Sequence, residues 1–168
     1  MEISNGMKRN FLLMYGKALK EEREAMEEYE QLRMGGILPK SPTPNENGSG
    51  SRVDYSAYFA RLETMIAKDL MPKKMRRMKI RQSVLNSIEK LDDERERLIM
   101  RTRYLHLIQT EYEKKHDLEG TEVMTWKQVA DYCGYSKQGA RKIHTTALKK
   151  IEVPQWCVKE LRRKKSST

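Results

Sequence analysis

Apolar residues in this chain recur at steps of three and four, in narrow stripes. Leu12, Tyr15, Leu19, Met26 and Tyr29 form one such series; Tyr55, Phe59, Leu62, Ile66 and Leu70 form another. That spacing places each series along one side of an α-helix. Charged residues make up 35% of the chain and apolar ones 38%, with 11 Met against 2 Phe, which suits striped helices better than one large core. The fold expected is therefore all-α. No apolar run approaches the ~20 residues that cross a bilayer, so no membrane partner is expected. The N-terminal segment lacks a long apolar run and a cleavage site, which argues against a signal peptide. Cys133 and Cys157 form neither a metal-ligand spacing nor a disulfide framework, and a reducing cytoplasm is the expected location.

The stripes divide the chain. A first helix is expected from Lys8 to about Met34, its stripe widened by Phe11, Ala18, Ala25 and Leu32. Residues 35–52, GGILPKSPTPNENGSGSR, combine Gly, Pro, Ser and Asn and are expected to be a flexible linker. A second helix is expected from Asp54, a good N-cap, with Pro72 kinking it or opening a new one. Met75, Met78, Val84, Leu85, Ile88 and Leu91 are read as its continuing seam. Two striped helices joined by a linker fit an antiparallel hairpin, and a coiled coil between two chains fits as well. Asp92 and Asp93 interrupt the seam; Asp93 is expected to cap a helix through ERERLIMRTRYLHLIQTEYEKK, with Glu96 completing a capping box and Gly120 closing the connection. The organisation expected is a hairpin or coiled coil over 1–91, a DNA-binding domain over 92–152 and a basic tail over 153–168.

Charge is distributed unevenly. Residues 71–90 carry seven Lys/Arg against one acid, and residues 120–168 carry eleven against four, while the rest of the chain is close to neutral. Two basic blocks on a neutral frame fit a polyanionic partner; two solvated helix faces are the plainer alternative.

The segment from Met124 to Ile151 decides between them. Thr125-Trp126-Lys127-Gln128 is a capping box, with Met124 and Val129 at the staple positions. The helix Trp126–Cys133 stops at Gly134, a residue suited to a left-handed turn, and Ser136 caps a second helix to about Ile151. Ala130 is small enough for two helices to approach closely, and Val129, Cys133, Ala140 and Ile143 supply a miniature core. This is the pattern of a helix-turn-helix, whose second helix enters the major groove. Its outward residues are Lys137, Gln138, Arg141 and Lys142; Arg and Lys match guanine O6 and N7, and Gln matches adenine. Lys149 and Lys150, further along, suit phosphates, and Ser136 and Thr145 complete the expected DNA-binding set. Trp126 is read as a packing anchor and Cys133 as a small core residue. His144 is read either as a phosphate contact or as a neutral solvent-exposed side chain. His106 and His116 have no acidic or cysteine partners at catalytic or metal spacing, so neither enzyme activity nor a cofactor is expected.

The strings LDDERERLIMRTRY and TWKQVADYCGYSKQGARKIHTTALKKI resemble region 4 of bacterial sigma-70 factors. Within that superfamily the chain is most similar to small phage regulators of late genes, of the ArpU and RinA kind. The resemblance covers residues 91–151; over 8–90 it is one of architecture only. It implies that Lys137, Gln138, Arg141 and Lys142 face promoter bases. It also implies transcriptional regulation, with RNA polymerase as a second candidate partner. Two features depart from the pattern. Leu105–Met124 stand where the family has a few residues, implying a longer preceding helix, and Gly139 stands where it has a larger side chain. A small terminase subunit and a polymerase-binding protein are the alternative classes. A homodimer, built by pairing the Lys8–Met34 stripe with its copy, is the expected assembly.

Overall fold

The computed structural model describes residues 3–34 and 55–165. Their architecture is all-α, as the periodicity predicts. The helices are α1 (Asn5–Leu12), α2 (Met14–Met34), α3 (Ser56–Met65), α4 (Met71–Glu89), α5 (Glu94–Tyr104), α6 (Glu111–Lys115), α7 (Trp126–Cys133), α8 (Lys137–Lys150) and α9 (Gln155–Lys165). A π-helical turn, Ile66–Leu70, joins α3 to α4. The expected linker over 35–52 lies outside the described residues.

Contacts divide the chain into Lys20–Arg76 and a larger unit made of Met1–Leu19 with Arg77–Thr168. The sequence places its boundary at 91 instead. The reason is that α1, the start of α2 and the second half of α4 supply the core of the larger unit. Phe11, Leu12 and Tyr15 pack there with Ile80, Val84 and Ile88, and with Tyr104, Leu148 and Cys157. The expected basic tail enters the same core, since α9 buries Cys157 and Val158 and sets Trp156 and Leu161 against it.

The smaller unit is an antiparallel hairpin. Leu32 of α2 packs with Tyr58 and Leu62 of α3, and the Tyr58 hydroxyl donates to the carbonyl of Arg33 at 3.0 Å. Eleven residues earlier on α2, Glu21 accepts from Arg76 of α4 at 2.6 Å. Pairing 32 with 58 and 21 with 76 is what two antiparallel helices produce. Pro72 does not start a separate helix; the π turn before it carries the chain through without a break. The expected seam fails at its first members, because Met75 and Met78 are exposed. Met75 lies nine residues before Val84, about half a turn out of phase at roughly 100° per residue.

The helix expected through residue 115 ends at Tyr104. The inserted residues build a lobe of their own. Ile108 and Glu122 pair as an isolated antiparallel bridge, with bonds of 2.7 and 3.1 Å. Thr110 caps α6 in a capping box with Glu113, whose buried carboxylate also accepts from the amide and hydroxyl of Thr121. Gly120 is required by proximity, because a Cβ there would stand 2.4 Å from the carbonyl carbon of Ile108. Gly120→Ala should lower stability by about 1–3 kcal/mol through backbone displacement. A fall in the urea midpoint, read by helical circular dichroism, measures it; an unchanged midpoint would mean the lobe yields freely. At the start of α5, Asp93 accepts from the Arg95 amide at 2.8 Å, as expected of a cap. Glu96 does not complete the box; it is buried and accepts from Lys150 instead.

Candidate nucleic-acid interface

The turn between α7 and α8 is built from local rules. The Thr125 hydroxyl accepts from the Gln128 amide at 3.3 Å, and Gln128 Oε1 accepts from the Thr125 amide at 2.8 Å. This is the capping box the sequence predicts. Gly134 ends α7 at φ 73° and ψ 30°, in open space, so the glycine is there for its left-handed backbone. The Tyr135 amide closes the end by donating to Ala130 at 3.0 Å. Ser136 then caps α8, accepting from the Gly139 amide at 3.0 Å. A Cβ at Gly139 would stand 3.0 Å from that same capping hydroxyl. Crowding by the cap therefore bears directly on the small residue at this position.

Beneath the turn lies the miniature core. Ile99, Val129, Ala130 and Ala140 are buried together, with Met124, Cys133, Tyr135 and Ile143 packed around them. This fixes the orientation of α8. Lys137, Gln138, Arg141, Lys142 and Thr145 are all exposed, at positions i, i+1, i+4, i+5 and i+8, which form one helical face. The Thr145 hydroxyl donates back to the Arg141 carbonyl at 2.9 Å.

The electrostatics of this face differ from its surroundings. Several cations nearby are paired: Arg95 with Asp93 at 2.9 Å, Lys90 with Glu152 at 2.6 Å, and Arg101 with Glu89. Lys137, Arg141 and Lys142 have no carboxylate partner among the described residues. Lys150, expected to meet phosphate, is engaged with buried Glu96 at 2.8 Å, which also raises its pKa. Lys149 is exposed, and its carbonyl accepts from Lys8.

His144 fits neither of its two expected placements. It is buried, with Nε2 sharing a 2.8 Å hydrogen bond with the Tyr104 hydroxyl. The Trp126 ring meets it edge to face at 4.8 Å. Burial, with Arg103 and Arg9 nearby, holds the imidazole pKa down to about 4, so it is neutral at ordinary pH. Trp126 is the packing anchor expected, and Cys133 packs beside Thr102.

Beside α8 the structure brings two residues that sequence reasoning missed, Arg103 and Lys127, to two that it expected. Arg103, Trp126, Lys127, Lys137 and Arg141 line one open pocket of about 380 Å³. The Arg103 guanidinium lies 4.2 Å over the Trp126 ring and donates to the Met124 carbonyl. Its Nε is buried, with no hydrogen-bond partner among the described residues. The pocket also opens on the N-terminus of α7, where backbone amides favour an anion. Two turns of α8 thus share a cationic recess with the start of α7 and with Arg103 of α5.

Among the described residues no helix is long and apolar enough to cross a membrane. Comparison with protein-family models, with curated proteins and with solved structures finds no match.

Proposed function

We propose that this chain binds double-stranded DNA in a sequence-dependent way and acts as a transcriptional regulator, by binding and not by catalysis. The observation that carries this reading is the exposed face of α8. Three cations there lack carboxylate partners among the described residues and stand with Gln138 on the second helix of a helix-turn-helix, while Arg95, Arg101 and Lys90 nearby are paired with acids. Unneutralised charge at a position aimed at a groove suits phosphates and guanine edges. The resemblance of residues 91–151 to sigma-70 region 4, and to phage regulators of the ArpU and RinA kind, supports activation of phage late genes in a bacterial cytoplasm. RNA polymerase is the further partner this reading implies.

In this reading Lys137, Gln138, Arg141 and Lys142 meet bases. Ser136, Thr145 and Lys149 stand at the margin toward the backbone, and Lys127 and Arg103 hold one phosphate in their recess. Lys150 is left to Glu96. Selection of duplexes from a random-sequence pool by the full chain tests the whole. Enrichment of a common motif, with affinity falling steeply in salt, is the expected result. A pool that stays random would remove sequence readout. Lys127→Gln should lower affinity for selected and scrambled duplexes alike and reduce the salt slope by about one. A larger loss on the selected duplex alone would show that Lys127 reads bases.

A further inference from the structure

The hairpin arms, residues 20–34 and 55–76, carry a surface to which the proposed DNA binding assigns no role. Phe59, Met71 and Met75 are 56, 45 and 65% exposed, and Met26 on the other arm is 43% exposed. At a uniform α-helical advance, Met71 and Met75 would lie roughly 120–160° around the axis from Phe59. The π turn between them changes this. Closed from i to i+5, it advances only about 82° per residue against about 100° in an α-helix. Its five residues therefore set the register back by about 90°. Tyr55, Phe59, Ile66, Met71 and Met75 then fall within roughly 110° of arc, as one stripe.

The stripe lies beside the seam, not on it. Phe59 stands about 95° around its helix from the Tyr58–Leu62–Met65 side that faces α2, and Met26 stands about 100° from the Ala25–Leu32 side that faces back. Both offsets run in the direction of increasing residue number. In antiparallel neighbours that sense turns both toward the same face of the pair. These side chains expose on the order of 500 Å² of mostly apolar surface, at the upper end of what a typical monomer leaves uncovered.

Charge says what covers it. Residues 20–34 hold six acids against three Lys/Arg, a net −3, while residues 55–76 hold five Lys/Arg against two acids, a net +3. A surface with one acidic and one basic arm is complementary to itself when each arm meets the opposite arm of a copy. We propose that a second copy of this chain docks here, hairpin face to hairpin face, giving a four-helix bundle. The Lys8–Met34 stripe expected to pair between copies is largely taken up inside the chain, with Phe11, Leu12, Tyr15 and Leu32 buried. The dimer surface is the flank beside that stripe.

Light scattering of the DNA-free chain tests this apart from any binding to DNA. At tens of micromolar the parent should weigh twice its 19.8 kDa. The double variant Phe59→Glu, Met75→Glu should weigh 19.8 kDa with its helical circular dichroism unchanged, its dimerisation weakened at least 100-fold. Should that variant unfold, Met75→Glu alone, at a side chain 65% exposed, keeps the test, with at least tenfold weakening expected. A parent that stays monomeric, because residues 35–54 or another protein cover the stripe, overturns the proposal. So does a folded variant that remains dimeric.

Discussion

Arg141→Ala and Lys137→Ala should each weaken binding to a selected duplex by about 1–3 kcal/mol, roughly 5- to 150-fold, while binding to scrambled duplex changes far less. The asymmetry follows from their position. Both side chains are exposed on the front of α8, and neither is held by a carboxylate among the described residues, so truncation should leave the fold intact. Both also line the recess with Lys127, so part of the loss will fall on backbone contact. The ratio of selected to scrambled affinity separates the two contributions. Fluorescence anisotropy on labelled duplexes measures it, with circular dichroism as the control for folding. Equal losses on both duplexes would assign these residues to phosphate alone, and no loss on either would remove α8 from the interface.

Acid should destabilise the larger unit from about pH 6.5 downward, through His144. His144 has an ordinary pKa of 6.5 and is held down to about 4 in the fold. Below 6.5 the unfolded chain therefore binds a proton that the folded chain refuses, and stability falls as pH drops from 6.5 toward 4. The loss amounts to about 2 kcal/mol at pH 5 and about 3 kcal/mol at pH 4. Asp93, held down to about 2 by its bonds to Arg95, and Glu152, held down by Lys90, add to the loss only as pH falls toward their ordinary values of 3.8 and 4.5, below the pH 7 to 5 range. Urea unfolding at pH 7, 6 and 5 reads the effect. His144→Leu should be less stable at pH 7, since the Tyr104 hydroxyl loses its partner, but should lose most of the slope. A parent whose stability is flat from pH 7 to 5 would contradict the burial of His144.

The parts of this fold that were legible are those set by neighbours in sequence. The Thr125 box, Gly134 and Ser136 each satisfy backbone groups within three or four residues, so their roles could be read directly. Residues 105–124 misled because Leu105, Ile108 and Tyr112 keep helical spacing through a break that distant partners set. Ile108 bonds to Glu122, and Gly120 lies against the Ile108 backbone. Even there Thr110 and Glu113 form a capping box, a helix start visible within a string read as one helix. His144 occupies an inward position in step with Ala140, Ala147 and Leu148. Its partner Tyr104 lies forty residues away, beyond any local pattern. Arg103 was hidden for the same reason, because only folding brings it onto Trp126. The π turn could not be read from spacing either, because it changes the spacing by which helices are read.

The bond from Lys150 to buried Glu96 has a consequence for discrimination. With Ser136 fastening its first turn and Glu96 fastening its last, α8 meets a partner already ordered. In the proposed complex no coil-to-helix transition would accompany association, and little freedom would be left for the helix to slide or tilt. If α8 reads DNA as proposed, a wrong base pair would confront a rigid template with little room to shift. The mismatch would be felt in full at the side chain concerned, not diffused through an adaptable backbone.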